Sequence, residues 1–324
     1  MTGDIRIGIS GWRYTPWRGD FYPKGLTQKR ELFYASRAVN TIEINGSFYS
    51  LQKPAYYANW CAETPDDFIF SVKAPRYITH VKRLRDIEQP MANFFASGLF
   101  QLKQKLGPIL WQLPPSFRFD PQLLRDFLAQ LPATGKAAKA CARHCSERMV
   151  REHYLDIPAR YPLRHALEVR HASFATPEFI NLLREFNVAL VVADTAGKWP
   201  YAEDLTSDFM YLRLHGDIEL YTSGYSEAAL DRWCARIQQW SQGGQPDDAQ
   251  LIAGEKSTGT DDQTHRIKTD RIKKARRLKQ RDIYCYFDND VKVRAPYDAR
   301  QLLEKLQLTD KLTVEPGKMM EEKS

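Results

Sequence analysis

Eight short runs rich in β-branched, aliphatic and aromatic residues punctuate the chain, and their number and spacing constrain its fold more than any other feature. They are IRIGIS (5–10), NTIEIN (40–45), FIFSVKA (68–74), PILWQL (108–113), HALEVR (165–170), VALVVAD (188–194), FMYLRLH (209–215) and DIYCYFD (282–288). Runs of this length and composition read as buried strands. Between them lie stretches with helical spacing, among them TQKRELFYASRA, PAYYANWCA, MANFFASGLFQLKQKL, DPQLLRDFLAQL, ATPEFINLLREF, SEAALDRWCARIQQW and YDARQLLEKLQ. Asp120-Pro121 and Ser226 suit helix N-terminal caps. The pattern predicts that strand and helix alternate eight times. Near-continuous apolar strands separated by helices form parallel sheets covered on their faces, and eight such units close a TIM-type (β/α)8 parallel barrel. A doubly wound open sheet is the architectural alternative.

The 324 residues accommodate one such barrel, commonly about 250 residues or more, with decoration. Residues 1–310 are expected to form that single domain, and residues 311–324 a frayed tail. Residues 241–281 exceed what a crossover needs and are expected as an insertion before the last strand. Within them RIKTDRIKKARRLKQR (266–281) carries nine Lys or Arg against Asp270, a net +8. The whole chain is +7, so the remainder sums to −1 and the barrel is nearly neutral. Arg266, Lys268, Arg271, Lys273, Lys274, Arg276 and Arg277 are therefore the candidates for phosphate-backbone contacts; the alternative is a solvated charged face.

Other classes are excluded or weakened. No apolar run approaches the roughly 20 residues that cross a bilayer, so no membrane partner is expected. MTGDIRIGISGW lacks a basic region followed by an apolar stretch, and a cytoplasmic location is the expectation. Five cysteines, Cys61, Cys141, Cys145, Cys234 and Cys285, are an odd number better read as reduced thiols than as a disulfide framework. Cys141, His144, Cys145 and His153 are spaced more loosely than a zinc site, so no metal is expected. GEKSTGT lacks the spaced glycine of a phosphate loop, and no cofactor motif is present.

Strand parity locates the chemistry. Side chains alternate along a strand, so residues two apart share a face. In the second run Ile42 and Ile44 suit the helical shell while Glu43 and Asn45 point inward; in the third, Phe70 and Val72 face out while Ser71 and Lys73 point in. The fifth run sends Glu168 and Arg170 inward, and the seventh Arg213 and His215. Ser10, Gln112 and Asp194 end the first, fourth and sixth runs, and Asn289 follows the eighth. All lie at C-terminal strand ends, where barrels of this class carry their sites. Any one of these charges could merely seal the top layer as an ion pair. Several together favour a site, since burying charge is costly unless it is paired or used.

Glu43 and Glu168 are the candidate acid and base, and His215 the candidate proton carrier, with His80 beside it in that role. Lys73, Arg76, Arg170 and Arg213 suit phosphate or carboxylate. Trp12 and Tyr14 follow the first strand and could stack on a sugar. Asn45, Gln112 and Asn289 complete the candidate substrate-binding set.

The stretches GISGWRYTPWRGDFYP (8–23), TIEINGSFYSLQKP (41–54), DFIFSVKAPRYITH (67–80), LGPILWQLPPSF (106–117), ALEVRHASF (166–174), MYLRLHG (210–216) and YCYFDND (284–290) resemble the YecE-like family, domain of unknown function 72. The resemblance spans most of residues 5–307 with the motifs in family order. It implies a TIM-type barrel with the motif residues on the strand ends already picked out by parity, and no reaction. Residues 241–281 depart from the family pattern, so a role resting on them does not transfer.

Three readings follow. One is an enzyme acting by acid/base chemistry on a small anionic or sugar-like ligand. The second is a nucleic-acid-binding protein using residues 266–281, with or without phosphodiester chemistry. The third is a scaffold with no catalytic role.

Overall fold

The computed structural model describes residues 2–150, 155–252, 275–289 and 292–319. Eight strands, β1 (Ile5–Ser10), β2 (Thr41–Ile44), β3 (Ile69–Lys73), β4 (Leu106–Gln112), β5 (His165–Glu168), β6 (Ala189–Asp194), β7 (Phe209–Leu214) and β8 (Asp282–Phe287), pair in parallel and in order. β8 returns to β1 and closes the barrel. Register places Ser10 opposite Glu43, Glu43 opposite Ser71, and Gln112 opposite Glu168, so polar residues of neighbouring strands end at one level. β1 and β2 approach closely because Gly8 has no side chain: a Cβ there would lie 1.8 Å from the carbonyl oxygen of Thr41.

Parity sorts the side chains as expected of a two-layer fold. Ile7, Ile9, Ile42, Ile44, Phe70, Val72, Leu167, Leu212, Ile283 and Cys285 face the helices in one continuous apolar cluster. The bore holds a second cluster, in which Ala166, Ala189 and Ala193 lie among Phe209, Tyr211, Tyr284 and Tyr286. The small residues of β5 and β6 leave room for the aromatic ones of β7 and β8, which fill the bore. The tyrosines also carry hydroxyls, which need partners once buried. Tyr286 meets Thr41 at 3.0 Å and Tyr211 meets Ser71 at 2.6 Å.

Helices cover the strands with local chemistry that fixes their starts. Asp120 accepts from the backbone N–H of Leu123 ahead of the helix Pro121–Gln130, and Ser226 from that of Ala229 ahead of Glu227–Ser241. The expected eightfold alternation fails at one place. Among the described residues no helix joins β6 to β7; Gly197, with φ +77°, and Pro200 interrupt the connection. The first part of the expected insertion lies against this connection instead. Gln245 Nε2 donates to the carbonyl of Glu203 at 3.0 Å, and the backbone N–H groups of Gln250 and Ile252 donate to the carboxylates of Glu203 and Asp204, each at 2.8 Å.

The tail also differs from expectation over its described part. Thr313 and Val314 donate their N–H groups to the carbonyl of Arg37, Gly317 donates to that of Phe21, and Val314 is buried. These bonds dock residues 311–319 rather than leaving them frayed. All five cysteines are unpaired. Among the described residues, no helix is long and apolar enough to cross a membrane.

Candidate functional site

Arg213 organises the C-terminal mouth. It stands on β7 two residues above Tyr211, and all five of its N–H donors are engaged. Nε donates to Glu43 Oε2 at 3.2 Å, and Nη1 to Glu168 Oε2 at 2.8 Å and His215 Nε2 at 3.1 Å. Nη2 faces Asp288 Oδ2 at 2.7 Å, Glu43 Oε1 at 3.0 Å and Ser10 Oγ at 3.2 Å. A guanidinium this buried persists as a charge only because carboxylates surround it, and its pKa is raised: burial pulls it down, but Glu43, Asp288 and Glu168 outweigh that.

Glu43 is equally saturated. Its Oε1 also accepts from Ser10 Oγ at 2.6 Å and its Oε2 from Tyr211 at 2.6 Å, so four donors converge on one carboxylate. Asn45 Nδ2 donates to Ser10 Oγ at 2.9 Å and extends this network to the end of β2. Glu168 accepts from Arg170 Nε at 2.6 Å on its other oxygen. Burial would raise the Glu168 carboxyl, but Arg170 and Arg213 hold it well below the usual carboxylate range.

His215 accepts from Arg213 at Nε2, so its proton sits on Nδ1, which faces the backbone carbonyls of Arg213 at 3.1 Å and Asp194 at 3.3 Å. Burial, then the Arg213 charge, push its pKa down to about 4, and the ring is neutral at pH 7. His80 is driven to about 4 by burial and by Lys73, Arg76 and Arg170. Its Nδ1 lies 2.8 Å from Thr79 Oγ1, and its ring sits edge-on to Phe48.

The opposite side of the mouth is unlike this. Lys73 ends β3 with its ammonium 4.5 Å from the centre of the Phe48 ring and only 9% of the residue exposed. Its ammonium makes no hydrogen bond and no ion pair among the described residues, while its carbonyl accepts from Ser47 Oγ at 2.6 Å. Burial first, then Arg213, lower its pKa to about 8, although Glu43, Glu168 and Asp288 pull the other way. Arg170 lies 3.7 Å over the Trp199 ring and spends only Nε on Glu168; its terminal nitrogens have no hydrogen bond among the described residues. The side-chain amide of Gln112, on β4 between them, has none either. Three consecutive strands thus present donors with no protein partner. In the network centred on β1, β2, β7 and β8 every donor of Arg213 is spent, and Asn45 Oδ1 is buried with no hydrogen-bond partner among the described residues.

The remaining candidates fall elsewhere. Arg76 is exposed at the rim, where its charge reaches His80. Trp12 is buried against Trp60 and Phe70 in the outer cluster. With Tyr14, Asn45 and Gln52 it lines a groove of about 270 Å³ beside the mouth. Asn289 corrects the parity argument: one residue past Asp288, it faces the shell, where it donates to Asp298 at 2.7 Å and to the carbonyl of Ser223 at 3.0 Å. Asp194 also faces outward and accepts from Tyr225 at 3.0 Å. The inward residue missed on the last strand is Asp288, which the same alternation from Tyr284 and Tyr286 would have found. Arg213 needs a similar correction, because a guanidinium with every donor spent has none left to hold an anion.

Arg266, Lys268, Arg271, Lys273 and Lys274 lie outside the described residues, as does His153. Arg276 and Arg277 are exposed, whereas Arg281 is buried and donates to the carbonyls of Gly243 at 2.9 Å and Arg276 at 2.7 Å. This stretch enters β8 at Asp282, the end of the barrel opposite the mouth, separated from it by roughly 15–20 Å of strand. Among the described residues no three His, Cys, Asp or Glu side chains are grouped to hold a metal.

A family model described as "Protein of unknown function DUF72" matches residues 6–253 and ends before the basic run. UPF0759 protein YecE of Escherichia coli (strain K12) is 33% identical over 113 residues, 35% of this chain and 39% of that protein. UPF0759 protein YunF of Bacillus subtilis (strain 168) is 30% identical over 184 residues, 54% of each chain. The matched part thus spans about half or less of these relatives. Among solved structures, a DUF72 family protein from Thermotoga maritima MSB8 aligns with a TM-score of 0.64 at 24% identity, over 94% of this chain and 99% of that one. One from Enterococcus faecalis V583 aligns with a TM-score of 0.61 at 15% identity, over 94% and 96%. These likenesses are likenesses of fold.

Proposed function

The chain belongs to the DUF72 family, and from that premise we propose that it is an enzyme that binds a small anionic ligand at the mouth of the barrel and acts on it by acid/base chemistry. The observation that carries this is Lys73, a residue nine-tenths buried whose ammonium has no hydrogen-bond or ion-pair partner among the described residues. Burying such a charge unpaired is costly, and the cost is offset when an anion arrives to take it. Arg170 supplies terminal nitrogens and Gln112 a side-chain amide that have no hydrogen bond among the described residues, donor types suited to a carboxylate or phosphate. In this reading Glu43 and Glu168, first expected as the acid and base, instead fix Arg213 and set the field, because both are committed to it. Lys73, with its pKa near 8, becomes the group able to give or take a proton close to neutrality.

Calorimetric titration with phosphate and with pyruvate, at constant ionic strength, tests the reading. The parent protein should bind at least one of them, and Lys73→Gln should weaken that binding about tenfold or more. Equal affinity in parent and variant, or no binding of either anion, would overturn it.

A second reading, nucleic-acid binding through the basic run, is favoured by the exposure of Arg276 and Arg277. It does not combine readily with phosphodiester chemistry at the mouth, since the run is tethered at the other end of the barrel.

A further inference from the structure

We propose that Lys73 is an amine nucleophile, and that the ligand class of the mouth is a small anionic carbonyl compound captured on it as a Schiff base. The inference rests on the anion-binding reading above and goes further, by assigning a covalent step.

Three features of geometry support it. The Lys73 amine is held by no acceptor, so nothing among the described residues has to be broken before its lone pair can reach a carbonyl carbon. Its ammonium lies 4.5 Å from the centre of the Phe48 ring, a face that holds a cation only weakly, while burial and the nearby Arg213 charge disfavour the protonated form. Arg170, two strands away, offers its terminal nitrogens to an acid group while the carbonyl faces Lys73. Glu168 lies within electrostatic reach of both Lys73 and Arg170. A site that discourages the ammonium also leaves more of the amine neutral, with its lone pair available to a carbonyl carbon. With its pKa near 8 about a tenth of the amine is neutral at pH 7, against well under a thousandth for an ordinary lysine.

The step balances without any further reactant. The neutral Nζ attacks the carbonyl carbon and the C–O π pair moves to oxygen, giving a carbinolamine once the proton lost by nitrogen reaches that oxygen. A second proton on the hydroxyl lets it leave as water while the nitrogen lone pair forms the C=N bond. One carbonyl, one amine and one proton taken from solvent thus become one protonated imine and one water. Gln112, two residues beyond Leu110, the register partner of Lys73 on the neighbouring strand, would hydrogen-bond the departing oxygen.

Reductive trapping tests the step. The intact protein is incubated at pH 7 with glyoxylate, the smallest such carbonyl anion, and cyanoborohydride, then digested and mapped by mass spectrometry. Lys73 should gain the mass of glyoxylic acid less one oxygen atom, at a rate at least about tenfold above exposed lysines such as Lys24 and Lys29. Lys73→Arg keeps the charge and should still bind glyoxylate by calorimetry without being trapped at that position. If the parent binds glyoxylate yet Lys73 is labelled no faster than Lys24 and Lys29, the covalent step is wrong and anion binding stands. If the parent neither binds glyoxylate nor is trapped at Lys73, the covalent proposal fails, and the phosphate and pyruvate titrations decide anion binding separately.

Discussion

Lys73 and Arg213 stand within one ring of side chains and make opposite predictions. An unfolded lysine titrates near 10.5 and the folded Lys73 near 8, so between those values the unfolded chain holds more protons and stability rises with pH. Below pH 8 the full penalty is present. Lys73→Met should therefore stabilise the protein by about 2–3 kcal/mol at pH 7, the gain vanishing above pH 10.5, as read by urea unfolding across that range. Arg213→Met should do the reverse, costing about 3–5 kcal/mol at pH 7, because it takes from Glu43 and Asp288 the cation they share and leaves Glu168 with Arg170 alone. An Arg213 variant as stable as the parent at pH 7 would contradict this. Alternation along β2, β3, β5 and β7 was enough to place Glu43, Lys73, Glu168, Arg213 and His215 in one ring. It could not say which cation was spent and which was free, because that depends on distances across the bore between strands remote in sequence.

At the scale of elements, apolar runs and caps made seven of the eight strand–helix units legible. The sixth was not: Gly197 and Pro200 interrupt it, and residues 245–252 cover it from later in the chain through bonds to Glu203 and Asp204. Contacts of that kind leave no periodic trace. The misplacement of Asn289 has a simpler cause, since Asp288 and Asn289 are adjacent polar residues at a strand end and only the phase set by Tyr284 and Tyr286 distinguishes them. Two substitutions test the element-level account by thermal denaturation. Gly8→Ala should cost several kcal/mol, on the order of 3 or more, because its methyl would meet the Thr41 carbonyl. Asp120→Ala should cost only about 1 kcal/mol, the value of one cap. Similar losses for the two would contradict the argument that close packing of β1 on β2 closes the barrel.

Over the whole molecule, charge is divided between two ends. The mouth carries Lys73, Arg170 and Arg213 against Glu43, Glu168 and Asp288, while the described end of the basic run, residues 275–281, leads into β8 at its opposite end. Any binding of nucleic acid by that run should be steeply salt-dependent. Arg276→Gln with Arg277→Gln should lower the slope of log affinity against log salt by about 2 while leaving anion binding at the mouth unchanged. The central claim concerns the mouth alone: Lys73 is buried there without a partner and awaits one. Its most direct test is the pH titration of the Lys73 Nζ by heteronuclear NMR, assigned with Lys73→Arg. A midpoint near 8 that rises when an anion binds is the predicted result. A midpoint at or above the ordinary lysine value of about 10.5, unmoved by anions, would contradict it.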